Sequence, residues 1–73
     1  MVINKKNIRE EIGKNLKELR EKKNFTQVEL AKKAGISANY YAKIERGTVS
    51  TAPEKIYKII KALDVDASDI FPS

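Results

Sequence analysis

Apolar residues recur at helical spacing along most of the chain, with lysines and glutamates filling the positions between them. Ile8, Ile12, Leu16 and Leu19 form one stripe, interleaved with Lys14, Lys17, Glu18 and Glu21, and predict an amphipathic helix from about Asn7 to Lys22. Asn24, which tolerates left-handed backbone, is its expected stop. Thr26 followed by Glu29 has capping-box spacing, and Leu30, Ala31 and Ala34 give the apolar face of a second, short helix that must end at Gly35. Ser37 offers an N-cap oxygen to a third helix reaching Arg46, where Gly47 stops it. Thr51 and Glu54 repeat the capping-box spacing with Pro53 tolerated in the first turn, and Ile56, Ile59, Ile60 and Leu63 supply the core stripe of a fourth helix. One last helical turn is expected around Ala67–Ile70, anchored by Val65, Ile70 and Phe71. With no strand alternation, repeat or low-complexity linker, the expected fold is all-α. It is five short helices in one compact domain over residues 8–73, preceded by a flexible basic arm at 1–7.

The segment from Gln27 to Arg46 carries the chemistry. Two helices joined by so tight a turn cross steeply only if their contact is small and the turn can bend; Ala31 supplies the small residue and Gly35 the bend. Leu30, Ala34, Ile36, Tyr41 and Ile44 fall on the inward side, which leaves Ala38, Asn39, Ala42 and Lys43 on the outer side of the third helix. A protruding helix of this kind is suited to the major groove of DNA. Asn39 can pair with adenine N6 and N7, Lys43 can donate to guanine O6 and N7, and the methyls of Ala38 and Ala42 can touch thymine.

Composition narrows the alternatives. Cysteine and histidine are both absent, which removes disulfides, thiolate and imidazole metal sites and the commonest catalytic bases, so an enzyme is not expected. Neither a cofactor nor a metal is expected: Asp64, Asp66 and Asp69 lack the loop glycine and terminal glutamate of a calcium loop and are read as caps of the final turn. No apolar run suggests a signal peptide or a membrane span, and the expected location is the cytoplasm. The net charge of +5 favours an anionic partner, and its distribution says more. Every lysine and arginine lies before residue 64, whereas the last ten residues carry only three aspartates and should face away from DNA.

The residues Ile12-Gly13, Leu16, Leu19-Arg20, Thr26-Gln27, Leu30-Ala31, Ala34-Gly35-Ile36-Ser37, Ile44-Glu45-Arg46-Gly47, Ile59 and Ala62-Leu63 stand in one register over residues 8–71. In this the chain resembles the lambda-repressor-like, Cro-repressor-like or XRE-type helix-turn-helix family. The resemblance implies that Gln27 binds a DNA phosphate and braces the third helix, that Ala38, Asn39 and Lys43 face bases, and that Arg46 binds phosphate. It further implies an Arg20–Glu45 ion pair between the first and third helices. Ser37, Thr48 and Tyr40 complete the expected phosphate set, with Tyr40 divided between a phosphate hydrogen bond and packing. Two positions depart from the family pattern. Tyr41 replaces a smaller branched aliphatic, so either the core is enlarged there or the phenol reaches solvent. Thr48-Val49-Ser50-Thr51-Ala52 replaces a basic loop, leaving the backbone amides at the start of the fourth helix to hold a phosphate.

A chain of 73 residues has a thin margin of core, which a second copy can supplement. The expected partners are double-stranded DNA and a second copy of the chain, with no membrane and no small-molecule substrate. Tyr57, Ile60, Val65, Ile70 and Phe71 are the candidate dimer contact. The functional expectation is a sequence-specific transcriptional regulator at a pseudo-palindromic operator, of the phage-repressor or restriction-modification-controller kind. The rival is an antitoxin or interaction module that binds a toxin or the transcription machinery through the same fold.

Overall fold

A computed structural model describes residues 5–72, and of residues 5–7 the backbone alone. Four α-helices, α1 (Lys5–Lys22), α2 (Gln27–Ala34), α3 (Ala38–Arg46) and α4 (Pro53–Leu63), are followed by a single 3-10 turn at Ala67–Asp69. The expected fifth helix is therefore only that turn. α1 begins at Lys5, so the last three residues of the expected basic arm are helical; the rest of that arm, residues 1–4, lies outside the described residues.

Local chemistry sets most of the boundaries. Asn24 takes a left-handed φ of 64°, ending the turn after α1. Thr26 and Glu29 form a reciprocal capping box at α2: the Glu29 amide donates to Thr26 Oγ1 at 3.0 Å, and the Thr26 amide donates to Glu29 Oε1 at 2.8 Å. Gly35 and Gly47 close α2 and α3 with φ of 75°. At α4 the capping-box expectation fails by one residue. Proline lacks an amide and has its φ fixed near the helical value, so Pro53 takes the first helical position. Ala52 becomes the N-cap, without a side-chain hydrogen bond, and Thr51 is left outside the helix. The final turn closes as expected, with the Asp66 amide donating to the Asp69 carboxylate at 3.1 Å.

The helices pack in the order α1, α3, α2, α4, each mainly against its neighbour in that series. Leu16, Leu30, Tyr41, Ile44, Ile59, Leu63 and Ile70 are the fully buried large side chains. Burying an aliphatic side chain of this size contributes about 1.5–3 kcal/mol. The core is therefore shared by all four helices and the final turn. Tyr41 lies entirely inside it, so the first of the two alternatives for this residue holds: the core is enlarged, and the phenol does not reach solvent.

Candidate nucleic-acid interface

α3 is held at a defined angle from both ends. At its start the Ser37 hydroxyl accepts the Tyr40 amide at 3.0 Å, and at its end the Gly47 amide returns to the Ile44 carbonyl at 3.0 Å. The turn before it is closed by the Ile36 amide donating to the Ala31 carbonyl at 3.0 Å, which Gly35 permits by its left-handed backbone. The three-residue connection from α2 to α3, Gly35-Ile36-Ser37, then leaves one side of α3 uncovered.

Asn39 and Lys43, one turn apart, are both exposed on that side, and neither is in an ion pair or side-chain hydrogen bond among the described residues. The alanines differ from expectation. Ala38 and Ala42 are half-buried, and Ala38 packs against the core, because positions three before and one after the buried Tyr41 border the inward face. Each is thus only partly open to solvent.

A buried polar hub locks α3 to α1 and α2. The Arg20 Nε donates to Glu45 Oε2 at 2.6 Å, its Nη2 to Glu45 Oε1 at 3.3 Å, and its Nη1 to the Phe25 carbonyl at 2.8 Å. Gln27 Nε2 donates to Glu45 Oε1 at 2.9 Å. Glu45 has only 4% of its side chain exposed and Arg20 10%, so both charges are withdrawn from water. Burial alone would raise the Glu45 pKa, but hydrogen bonds from Arg20 and Gln27 outweigh it and hold the carboxyl below its ordinary value. The hydrogen bond to Glu45 likewise raises Arg20, against its own desolvation. Burial pushes the Tyr41 phenol well above its ordinary range. Its hydroxyl lies beside the pair yet has no partner at hydrogen-bond distance.

The expected phosphate ligands separate on inspection. Arg46 is exposed at the end of α3 and unpaired among the described residues. The Gln27 side-chain amide is turned inward to Glu45, whereas the backbone amides of Gln27 and Val28 open α2 and make no backbone hydrogen bond. Ser37 spends its oxygen on the cap but keeps its hydroxyl proton. Tyr40 is half-buried and packs against the core. Thr48 differs from expectation: the bend at Gly47 lays both of its donors on one carbonyl, its amide at 3.1 Å and its Oγ1 at 3.2 Å from Lys43 O, so both are spent within the chain in this conformation.

Among the candidate dimer residues, Tyr57 and Phe71 are 59% and 42% exposed, and the Lys61 ammonium lies 5.5 Å from the Tyr57 ring centre. Ile60 and Val65 are half-buried against the core. Ile70 is wholly buried and cannot touch a partner. Asn15 Nδ2 donates to its carbonyl at 2.7 Å, tying the final turn under α1 and drawing the side chain inward.

Asn15 and Gly13 escaped sequence reasoning as structural determinants. A Cβ at Gly13 would collide with the carbonyl oxygens of Ile44 and Glu45, so α1 crosses the end of α3 at backbone contact. The signal was a glycine inside an otherwise strong helical stripe, where glycine costs about 1 kcal/mol relative to alanine and wants a packing reason.

Residues 16–70 match the family described as Helix-turn-helix. The antitoxin PezA of Streptococcus pneumoniae is 42% identical over 59 residues, spanning 81% of this chain and 37% of that protein. The immunity repressor protein of Bacillus phage phi105 is 34% identical over 59 residues, covering 81% of this chain and 41% of its own length. The chain thus spans about two fifths of these two relatives. The crystal structure of the restriction-modification controller protein C.AhdI from Aeromonas hydrophila superposes with a TM-score of 0.84 at 32% identity, over 86% of this chain and 96% of that one. Among the described residues, no helix is long and apolar enough to cross a membrane. A match over three quarters of the chain, on a fold that frees one side of α3, places this protein in the XRE-type helix-turn-helix family of DNA-binding transcription regulators.

Proposed function

We propose that the protein acts in the cytoplasm as a homodimer that binds a pseudo-palindromic operator, with α3 in the major groove. Asn39 and Lys43 read bases, flanked by the part-exposed methyls of Ala38 and Ala42. The opening amides of α2 at Gln27, the Arg46 guanidinium, the Ser37 hydroxyl and the uncapped amides of α4 hold phosphates, with Tyr40 as packing beneath them. Tyr57 and Phe71 form the centre of the dimer contact and Ile60 and Val65 its edge. The observation that carries the reading is the exposed, unpaired Asn39–Lys43 pair on a helix whose angle is fixed by the buried hub. Two-fold symmetry then requires half-site centres about 34–36 Å apart.

Selection of duplexes from a random pool, followed by fluorescence anisotropy on the selected site, tests this. Lys43→Ala costs about 1–3 kcal/mol at particular base pairs, and Arg46→Ala weakens all sequences alike. A uniform loss for Lys43→Ala refutes its role as a base reader. The relative named as an antitoxin favours a second reading, in which the domain's main partner is a protein. Selection that yields no preferred duplex, together with a stoichiometric protein partner in pull-down, would favour it.

A further inference from the structure

A cavity of about 210 Å³ opens between the N-terminal half of α1, the loop from α3 to α4, the start of α4 and Phe71. Ile12, Ile44, Val49, Pro53, Ile56 and Phe71 make its walls, and among the described residues the only polar side chains lining it are Arg9 and Thr51. At the packing density of protein interiors this space accepts roughly eight methylene-sized groups. Arg9 is exposed and makes no ion pair among the described residues, so a full positive charge stands unpaired beside an apolar floor. Pro53 also brings to this wall the start of α4, whose N-cap is unfilled and whose dipole is positive at that end. The concavity beside Tyr57 is different in kind: it is walled by Lys33, Lys58 and Lys61 around two alanines and a tyrosine.

We propose that this cavity binds a small amphipathic monocarboxylate, with an aliphatic tail against Ile12, Ile44, Val49 and Ile56 and its carboxylate on Arg9 and Thr51. An apolar space with one cation at its edge selects this class over a neutral hydrocarbon, which leaves the guanidinium unpaired, and over a simple anion, which leaves the walls wet. The site uses none of the residues given above to bases, but it shares the start of α4 and Phe71 with the proposed phosphate and dimer contacts, so its occupancy is tested on the protein without DNA.

The test is a methyl NMR titration of the full chain at pH 7 with octanoate, octan-1-ol and acetate. Octanoate should produce saturable single-site shifts at Ile12, Ile44, Val49 and Ile56, octan-1-ol should bind there about tenfold more weakly, and acetate should leave these methyls unmoved. Arg9→Gln should weaken octanoate about tenfold while leaving octan-1-ol unchanged. Val49→Phe, which fills the space, should abolish both. The proposal is overturned if octanoate leaves these methyls unmoved, or if Arg9→Gln leaves its affinity intact. Acetate moving the same signals would equally sink it. So would shifts of the same methyls on dilution alone, since a second copy would then be the occupant.

Discussion

Replacing Glu45 by glutamine tests whether the hub, rather than helix propensity, sets the pose of α3. The substitution keeps the side chain's shape and one carbonyl oxygen but removes the charge facing Arg20, whose residue surface is 9% exposed. Deleting one partner of a buried ion pair typically costs about 3–5 kcal/mol, because the remaining charge stays desolvated. Arg20 keeps its bond to the Phe25 carbonyl, and the new amide still offers one acceptor, so about 2–4 kcal/mol is expected here. Urea unfolding followed by circular dichroism at pH 7 reads this as a lower midpoint with an unchanged slope. The pH dependence gives a second signature. A carboxyl whose folded pKa is depressed below its ordinary 4.5 contributes its full stability above that value and loses it as the pH falls through the folded pKa. The Arg20 pKa is raised further by Glu45 and the guanidinium stays charged throughout, so it adds nothing to this window. The gap between wild type and Glu45→Gln must therefore be constant near neutrality and shrink on acidification below about pH 4.5. A gap under about 0.5 kcal/mol at pH 7, the scale of an ordinary surface change, or one that does not narrow in acid, refutes the reasoning.

Two glycine substitutions separate space from backbone strain. Gly13→Ala must part α1 from α3 and should cost at least about 1–3 kcal/mol, whereas Gly35→Ala meets nothing within 4 Å and suffers only its left-handed φ, about 1–2 kcal/mol; denaturation midpoints in the reverse order would contradict the packing argument. Tyr41→Phe removes a buried hydroxyl without a partner and should leave the melting temperature unchanged or raise it, by the equivalent of up to about 1 kcal/mol. A clear loss of stability there would mean that the hydroxyl is bonded within the hub.

The elements and their ends were legible in the sequence wherever one side chain decides within a turn of itself. Thr26, Gly35, Ser37 and Gly47 each did so, because a cap needs only a hydrogen bond three residues away or a permitted φ. Where two local signals competed, spacing alone ranked them wrongly. Thr51 and Glu54 have the capping spacing, but the fixed φ of Pro53 determines where α4 starts. Ala38 and Ala42 show the limit of a binary inward–outward division: Asn39 and Lys43 lie on the open face, whereas the two alanines flank the buried Tyr41 and are only half-exposed.

What the sequence did not yield depends mostly on contacts between distant residues. Ile70 looks like spare apolar surface until Asn15, fifty-five residues earlier, holds its backbone under α1; Thr48 is the local exception, placed over the Lys43 carbonyl by the Gly47 bend. Gly13 belongs with Ile70, since its lack of a Cβ matters only because the end of α3 arrives there. These features also have a common direction. Gly13 sets how near α1 approaches α3, Arg20 and Gln27 meet on Glu45 near the end of α3, and Thr48 closes the carbonyl at Lys43. The polar contacts from α1 and α2 therefore converge on the last turn of one nine-residue helix, while its first turn is capped by Ser37 and packed inward through Ala38, Tyr40 and Tyr41. A helix anchored along its inward side keeps its outer side chains free. Asn39 and Lys43 can present unpaired polar groups because the residues that fix their helix lie behind them.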